Sequence, residues 1–391
     1  MNSSKIRILL LVTILVVGLG LPSTTQASEY PSFFGIFQEG PKIPLISSTT
    51  SDAWVPQGID YLPAKNWMLF TYYWKPEGTK PVALAVVDLA TNQHIKTVYL
   101  YETSTKMHSG HGSGVTVSKQ HIWLSSNEAG NSKNVFQFKI DDLIKASNGG
   151  KLIASKAYNL KSASYATYYD NVLWIGKFAH GSGGLCDPDP NGGYIYGYPL
   201  NSYDDLTSTT PTHTWKTPDR IQGAVMTADR VIYSQSCGRN NDSTLYTYTK
   251  GSTGKEVYRM TAPTMSEEIA IAGNNLYVNF ESGAKEYRGS GKYPLYHVYY
   301  ANVNTYASRV SGKVTTNGAN LNVRSGPGTN HSIVGSLANG TKVTISCQIT
   351  GEYVDGYYGR SNLWNKIGTG KYIPDAYTYT GFNSQIAPTC K

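Results

Sequence analysis

Apolar and polar positions alternate in a repeating unit, seen most plainly in Gly114-Val-Thr-Val-Ser-Lys-Gln-His-Ile-Trp-Leu-Ser125. Two short apolar runs, residues 115–117 and 122–124, flank a polar turn at 118–121. Period-two alternation with β-branched residues predicts a hairpin. Copies occupy residues 165–176, 223–234 and 268–279, with turns at 169–171, 228–230 and 273–275, and a longer copy spans 58–71 with its turn at 63–66. Each is followed by a second strand-rich stretch, at 82–89, 135–140, 194–200, 244–248 and 295–303.

A hairpin cannot bury both of its faces alone, whereas a ring of hairpins can. Five copies at spacings of 45 to 58 residues predict a five-bladed β-propeller, with a β-sandwich as the competing architecture. The ring is expected to close by a strand from residues 30–55 pairing near residues 295–300 of the last blade. The one helix expected is a short turn at 141–145.

Composition agrees with a turn-rich β protein: 39 glycines and 31 tyrosines accompany a charged fraction of 15%, so tyrosine and hydroxyl residues carry much of the polar surface. At the N-terminus, Lys5 and Arg7 precede an apolar run at 8–21 and a small-x-small site at Thr25-Gln26-Ala27, the pattern of a secretory signal. The run is short for a membrane anchor, which is the other reading. Loss of Lys5 and Arg7 with the signal takes the formal charge from +8 to +6, spread without a basic cluster. That suits an anionic surface such as a cell wall and gives no footprint for nucleic acid. The expectation is a secreted, soluble monomer, extracellular or wall-associated, with no membrane or nucleic-acid partner and no cofactor or metal. Four cysteines in an exported chain should pair. Cys186 and Cys237 follow equivalent strands of adjacent repeats, and Cys347 and Cys390 share the C-terminal segment, so the expected bridges are 186–237 and 347–390.

After residue 312 the pattern changes to short strands around Leu321-Asn-Val-Arg-Ser-Gly-Pro-Gly-Thr329, then Val334-Gly-Ser-Leu337 and Asn339-Gly-Thr-Lys-Val343. These motifs, with Trp364-Asn-Lys-Ile367 and Asp375-Ala-Tyr377, resemble the bacterial-type SH3 domain appended to secreted actinobacterial and fungal lytic enzymes. The resemblance implies a small β-barrel that binds bacterial cell wall, mainly the peptide part of peptidoglycan. It points to Asn322, Arg324, Tyr357 and Tyr372 as wall-binding residues, although Arg324 could instead brace the turn. An insert at 352–362 replaces a short connection and is expected to alter the groove rim. The predicted fold is therefore all-β: a signal peptide at 1–27, a five-bladed propeller at 30–305, a linker at 306–312 and an SH3-like domain at 313–391.

In a propeller the first strand of each hairpin lines the axis, so residues just before each copy should converge at one mouth. They are Gln57, Ser113, Ser164, Gln222 and Glu267. His111, Lys177 and Gln235 are expected at the same mouth as ligand-binding residues. Glu267, Glu268 and Glu281 are the candidate catalytic carboxylates, since general acid and base work needs paired acids. The functional expectation is a wall-targeted protein whose propeller binds or hydrolyses a cell-wall glycan in the manner of a muramidase or other glycosidase. The alternative is a non-catalytic lectin-like or adhesion propeller. Two weaker metal signals are His108-x-x-His111 and the acids of Cys186-Asp-Pro-Asp189.

Overall fold

The computed structural model describes residues 30–46 and 53–391; the expected signal segment lies outside the described residues. Five antiparallel sheets succeed one another around an axis. Their innermost strands are Trp54–Leu62, Gly114–Val117, Tyr165–Tyr169, Ile221–Met226 and Ser266–Ala272. Each pairs with the second strand of its hairpin, and then with a third and a fourth strand outward. All five predicted second stretches are third strands, at Ala83–Asp88, Val135–Lys139, Gly193–Pro199, Ser243–Thr249 and His297–Asn302.

The last blade takes its fourth strand from the other end of the chain. Gln38–Lys42 pairs with His297–Asn302, Gln38 opposite Tyr300 and Lys42 opposite His297. The ring is thus closed, which removes the sandwich alternative. Blade one carries an unforeseen fifth strand, Lys151–Ile153, parallel to Gln93–Tyr101.

Period-two geometry turns neighbouring residues of a strand toward opposite blades. Leu69 packs with Val115 and Leu124 of blade two, while its neighbour Phe70 packs with Ala270 and Val298 of blade five. Similar clusters fill the other seams, Trp123 with Leu173, Trp174 with Tyr233, and Leu245 with Ile269. Strands buried on both faces therefore read as nearly continuous apolar runs.

The expected helix forms as Ile140–Lys145, with Asp141 and Asp142 in its first turn and Lys145 in its last. The stretch expected as a linker, 306–312, is instead structured. It holds the end of a helix, Val303–Ala307, and the start of a strand, Val310–Val314. Tyr306 is fully buried and donates to the Leu245 carbonyl at 3.1 Å. Two further sheets follow, of three and five strands. The insert at 352–362 forms the far end of a long hairpin, Cys347–Gly356 against Gly359–Gly368. The C-terminal tail returns to the propeller, where Arg230 Nη2 donates to the Ile386 carbonyl at 2.9 Å. Both disulfides, Cys186–Cys237 and Cys347–Cys390, form as expected.

Candidate functional site

Residues Gln57, Gln222 and Glu267 meet at the mouth where the inner strands begin, joined by Glu281 from the end of the second strand of blade five. Gln57 Nε2 donates to Glu281 Oε2 at 2.9 Å, and Gln222 Nε2 to Glu267 Oε1 at 3.4 Å. Glu267 and Glu281 are near enough for the charge of one to act on the other. Burial, and then the charge of Glu281, pushes Glu267 well above the ordinary carboxyl range. Burial raises Glu281 to about 7, partly offset by the charge of His111 and the bond from Gln57. The pair therefore works as one acid–base unit.

Tyr73 and Tyr287, which the sequence reading missed, stand beside it with hydroxyls 2.8 Å apart. Burial and the charge of Glu281 raise Tyr73, so it stays a phenol; burial raises Tyr287 to about 12. The His111 ring stacks on Tyr73 with centroids 4.3 Å apart, and its Nδ1 lies 2.7 Å from Glu77 Oε1. Arg239 covers Tyr287 at 4.9 Å. The signal that could have found Tyr73 is its place near the end of the second strand of the first hairpin, Trp67–Trp74. Tyr287 lies in a long loop without a pattern, and nothing local marks it.

Glu268 does not join the acid pair, which corrects the expectation of three carboxylates together. The period of two turns it from Glu267 into the axis. Its carboxylate accepts from the backbone N–H groups of Ile59 (3.0 Å), Val115 (2.8 Å) and Ala166 (3.0 Å) on blades one, two and three. Burial raises its pKa while these bonds lower it. With its acceptors taken up by the backbone, Glu268 is a structural rivet. Glycines make room around it: a Cβ on Gly58 would lie 2.8 Å from its Oε2, and one on Gly223 would lie 2.5 Å from its Cα.

Gln235 is also placed elsewhere, for it donates to the Asp219 carbonyl and carboxylate at 2.9 and 2.7 Å. Lys177 is exposed, and Ser113 and Ser164 are half-buried without a side-chain bond to the acid pair.

The two histidines of the HSGHG loop part company, so they do not form the suspected zinc pair. His108 is fully buried against Phe136, with Nε2 at 2.7 Å from Ser126 Oγ and Nδ1 at 3.3 Å from Glu102. Glu102, His108 and Glu128 are the three residues among those described that are spaced to hold a metal. Their acceptors are occupied by Lys106, the Ser109 amide and Asn131, so they act here as a polar network. Ser126 Oγ in turn accepts from the Gly112 amide at 2.7 Å, which fixes the loop that presents His111. Asp187 and Asp189 cap local turns through the amides of Gly183 and Asn191, both outside any metal cluster among the described residues.

In the C-terminal sheets, Arg324 braces the Gly-Pro-Gly turn, donating to the carbonyls of Thr329 (2.7 Å) and His331 (2.8 Å). This is the bracing role that the sequence left open for Arg324, made through Nη1 alone. Asn322 and Tyr357 are exposed, and Tyr372 is half-buried under Lys366 at 5.9 Å. Tyr357, Tyr358 and Tyr379 form an exposed aromatic row with centroid spacings of 5.1 and 5.7 Å.

Residues 319–382 match the bacterial SH3 domain. The chain is 42% identical over 84 residues to the uncharacterized protein YraI of Bacillus subtilis (strain 168), covering 19% of this chain and 71% of that protein. This part of the chain belongs to the bacterial SH3 domain family. The chain is also 38% identical over 84 residues to the uncharacterized protein YraJ of the same organism, with the same coverage, 19% of this chain and 71% of that protein. Among solved structures, the chain is similar to the glutaminyl cyclase of Myxococcus xanthus (TM-score 0.41, 10% identity, 68% of this chain and 96% of that one). It is also similar to an exo-β-1,3-galactanase of Phanerochaete chrysosporium (TM-score 0.43, 13% identity, 81% of each chain). The bacterial SH3 domain supports binding to a cell-wall polymer. With two disulfides, it is consistent with an extracellular or wall-associated location. No helix among the described residues is long and apolar enough to cross a membrane.

Proposed function

We propose that the chain is a secreted, wall-associated binding protein in which the bacterial SH3 domain holds peptidoglycan and the propeller mouth binds a polar wall glycan. The observation that carries this reading is the convergence of Glu267 and Glu281 with the amides of Gln57 and Gln222 and the phenols of Tyr73 and Tyr287 at one mouth. Amide and phenol groups around a half-ionised acid suit hydroxyl-rich ligands, which need donors and acceptors together. Two weak sites on one polymer reinforce each other through effective concentration.

Hydrolysis is the second reading, favoured by an acid raised to about 7. The test measures binding and reducing-end release on purified peptidoglycan with the full chain and with Glu281→Gln. Retained release by the wild type that is lost in the variant moves the assignment to a glycosidase. Binding without release, weakened in the variant, supports the binding reading. Equal binding by both would remove the mouth from the function.

A further inference from the structure

Glu268 divides the propeller axis in two. On the side away from the acid pair, the axis opens into a separate cavity of about 870 Å³, bounded by the hairpin turns. That size suits a small molecule, and inner strands, hairpin turns and the helix Ile140–Lys145 together line the cavity. Leu62, Met226 and Ile271, from blades one, four and five, give its wall an apolar part beside polar residues such as Thr167 and Ser118. At its floor lies Asp60. One carboxylate oxygen accepts from Thr116 Oγ1 (2.8 Å) and the Val117 amide (2.6 Å), while the other accepts only from the Tyr61 amide at 2.7 Å. The second oxygen keeps an acceptor position open. At the rim, Lys119 in the blade-two turn and Lys139 at the end of that blade's third strand both line the cavity. Both are exposed, and neither is ion-paired among the described residues. Two unpaired cations stand on one side of the cup above Asp60, with the exposed Asp141 two residues from Lys139 on the same rim, and this gives the cup a direction.

We propose that this cup is a second binding site, for a small amphipathic anion. Its apolar body lies against Leu62, Met226 and Ile271, its anionic group on Lys119 and Lys139, and a donor group on Asp60. The rivet separates it from the acid pair, so the two mouths bind independently.

The probe for the test is 8-anilinonaphthalene-1-sulfonate, which joins an apolar body to a sulfonate and an N–H donor, titrated by fluorescence into the full chain. The expected result is saturation at one site. The double variant Lys119→Gln/Lys139→Gln should weaken affinity about tenfold. The uncharged N-phenyl-1-naphthylamine should bind at least about tenfold more weakly for the same reason. Glu281→Gln should leave the titration unchanged. Both lysines are exposed, so their replacement leaves the fold intact; Asp60→Asn adds an isosteric check on the floor. Equal binding of the charged and uncharged probes, an unaffected double variant, or titration without saturation would each overturn the proposal. Those results would leave an adventitious additive only.

Discussion

Gln57 and Glu281 meet at 2.9 Å although 224 residues separate them, across the seam where the first and last blades join. The side-chain amide also donates to the Pro56 carbonyl at 3.1 Å, and the Gln57 backbone carbonyl accepts from Asn279 Nδ2 at 2.9 Å. Gln57→Leu removes the donor and leaves a half-buried carboxylate short of a partner. The expected loss is ~1–3 kcal/mol of stability, read as a lower midpoint in thermal unfolding. Unchanged stability would mean that water replaces the amide without loss.

Glu268→Gln tests the rivet. A glutamine offers one acceptor oxygen to three backbone donors and turns its own N–H groups toward the rest. We expect destabilisation of at least ~2 kcal/mol, with several blades affected together, measured by chemical denaturation and by hydrogen exchange at Ile59, Val115 and Ala166. A variant as stable as the wild type would show that the carboxylate does not hold the blades.

Gly114→Ala places a methyl group 2.6 Å from the Ala166 amide nitrogen and 2.7 Å from the Tyr165 Cα. These are backbone atoms, which cannot move aside as a side chain can. The expected cost is ~3 kcal/mol or more, from overpacking at the narrowest part of the ring. Gly130→Ala is not a matched control for space alone, because Gly130 has φ of +77°.

The acid pair makes stability depend on pH. Unfolded glutamates titrate near ~4.3, and Glu267 and Glu281 titrate higher when folded, Glu281 at about 7. The folded state holds more protons across this window. The contribution is therefore fully present below ~4.3 and is lost as pH rises through about 7. The slope is at most ~1.4 kcal/mol per pH unit for each proton. Glu281→Gln should flatten the dependence between pH 5 and 8 in thermal unfolding series. An identical slope in the variant would place the titration elsewhere.

Much of the ring was legible because blades bury both faces of a strand, so the hairpins kept their apolar runs and their turn residues. Asn66, at the end of a turn the sequence marked, has φ of +56° in the left-handed region, where asparagine is tolerated. The closing strand was legible from its place before the first repeat, the 186–237 bridge from equivalent positions on adjacent blades, and the 347–390 bridge from the shared C-terminal segment. The site was legible only in part. Counting residues back from each hairpin found Gln57, Gln222 and Glu267, but not which neighbouring acid turns inward. Glu268 and Glu267 are adjacent, and a one-residue difference in facing separates a structural acceptor from an acid–base group. Tyr287 enters through tertiary folding of a long loop, and the bracing role of Arg324 depends on carbonyls presented by a turn.

The pairing of Gln38–Lys42 with His297–Asn302 means that the first strand to be made is the last to find its partner. Gln38 meets Tyr300 across 262 residues (300 − 38). Closing so long a loop is slow, and blade five remains an open edge until it happens. A circular permutant that places residues 38–42 directly after 302 would keep every hydrogen bond of that edge and shorten its search. Such a chain should reach the closed ring sooner and spend less time with an unpaired strand available to its neighbours, with the bacterial SH3 domain carried on a different connection.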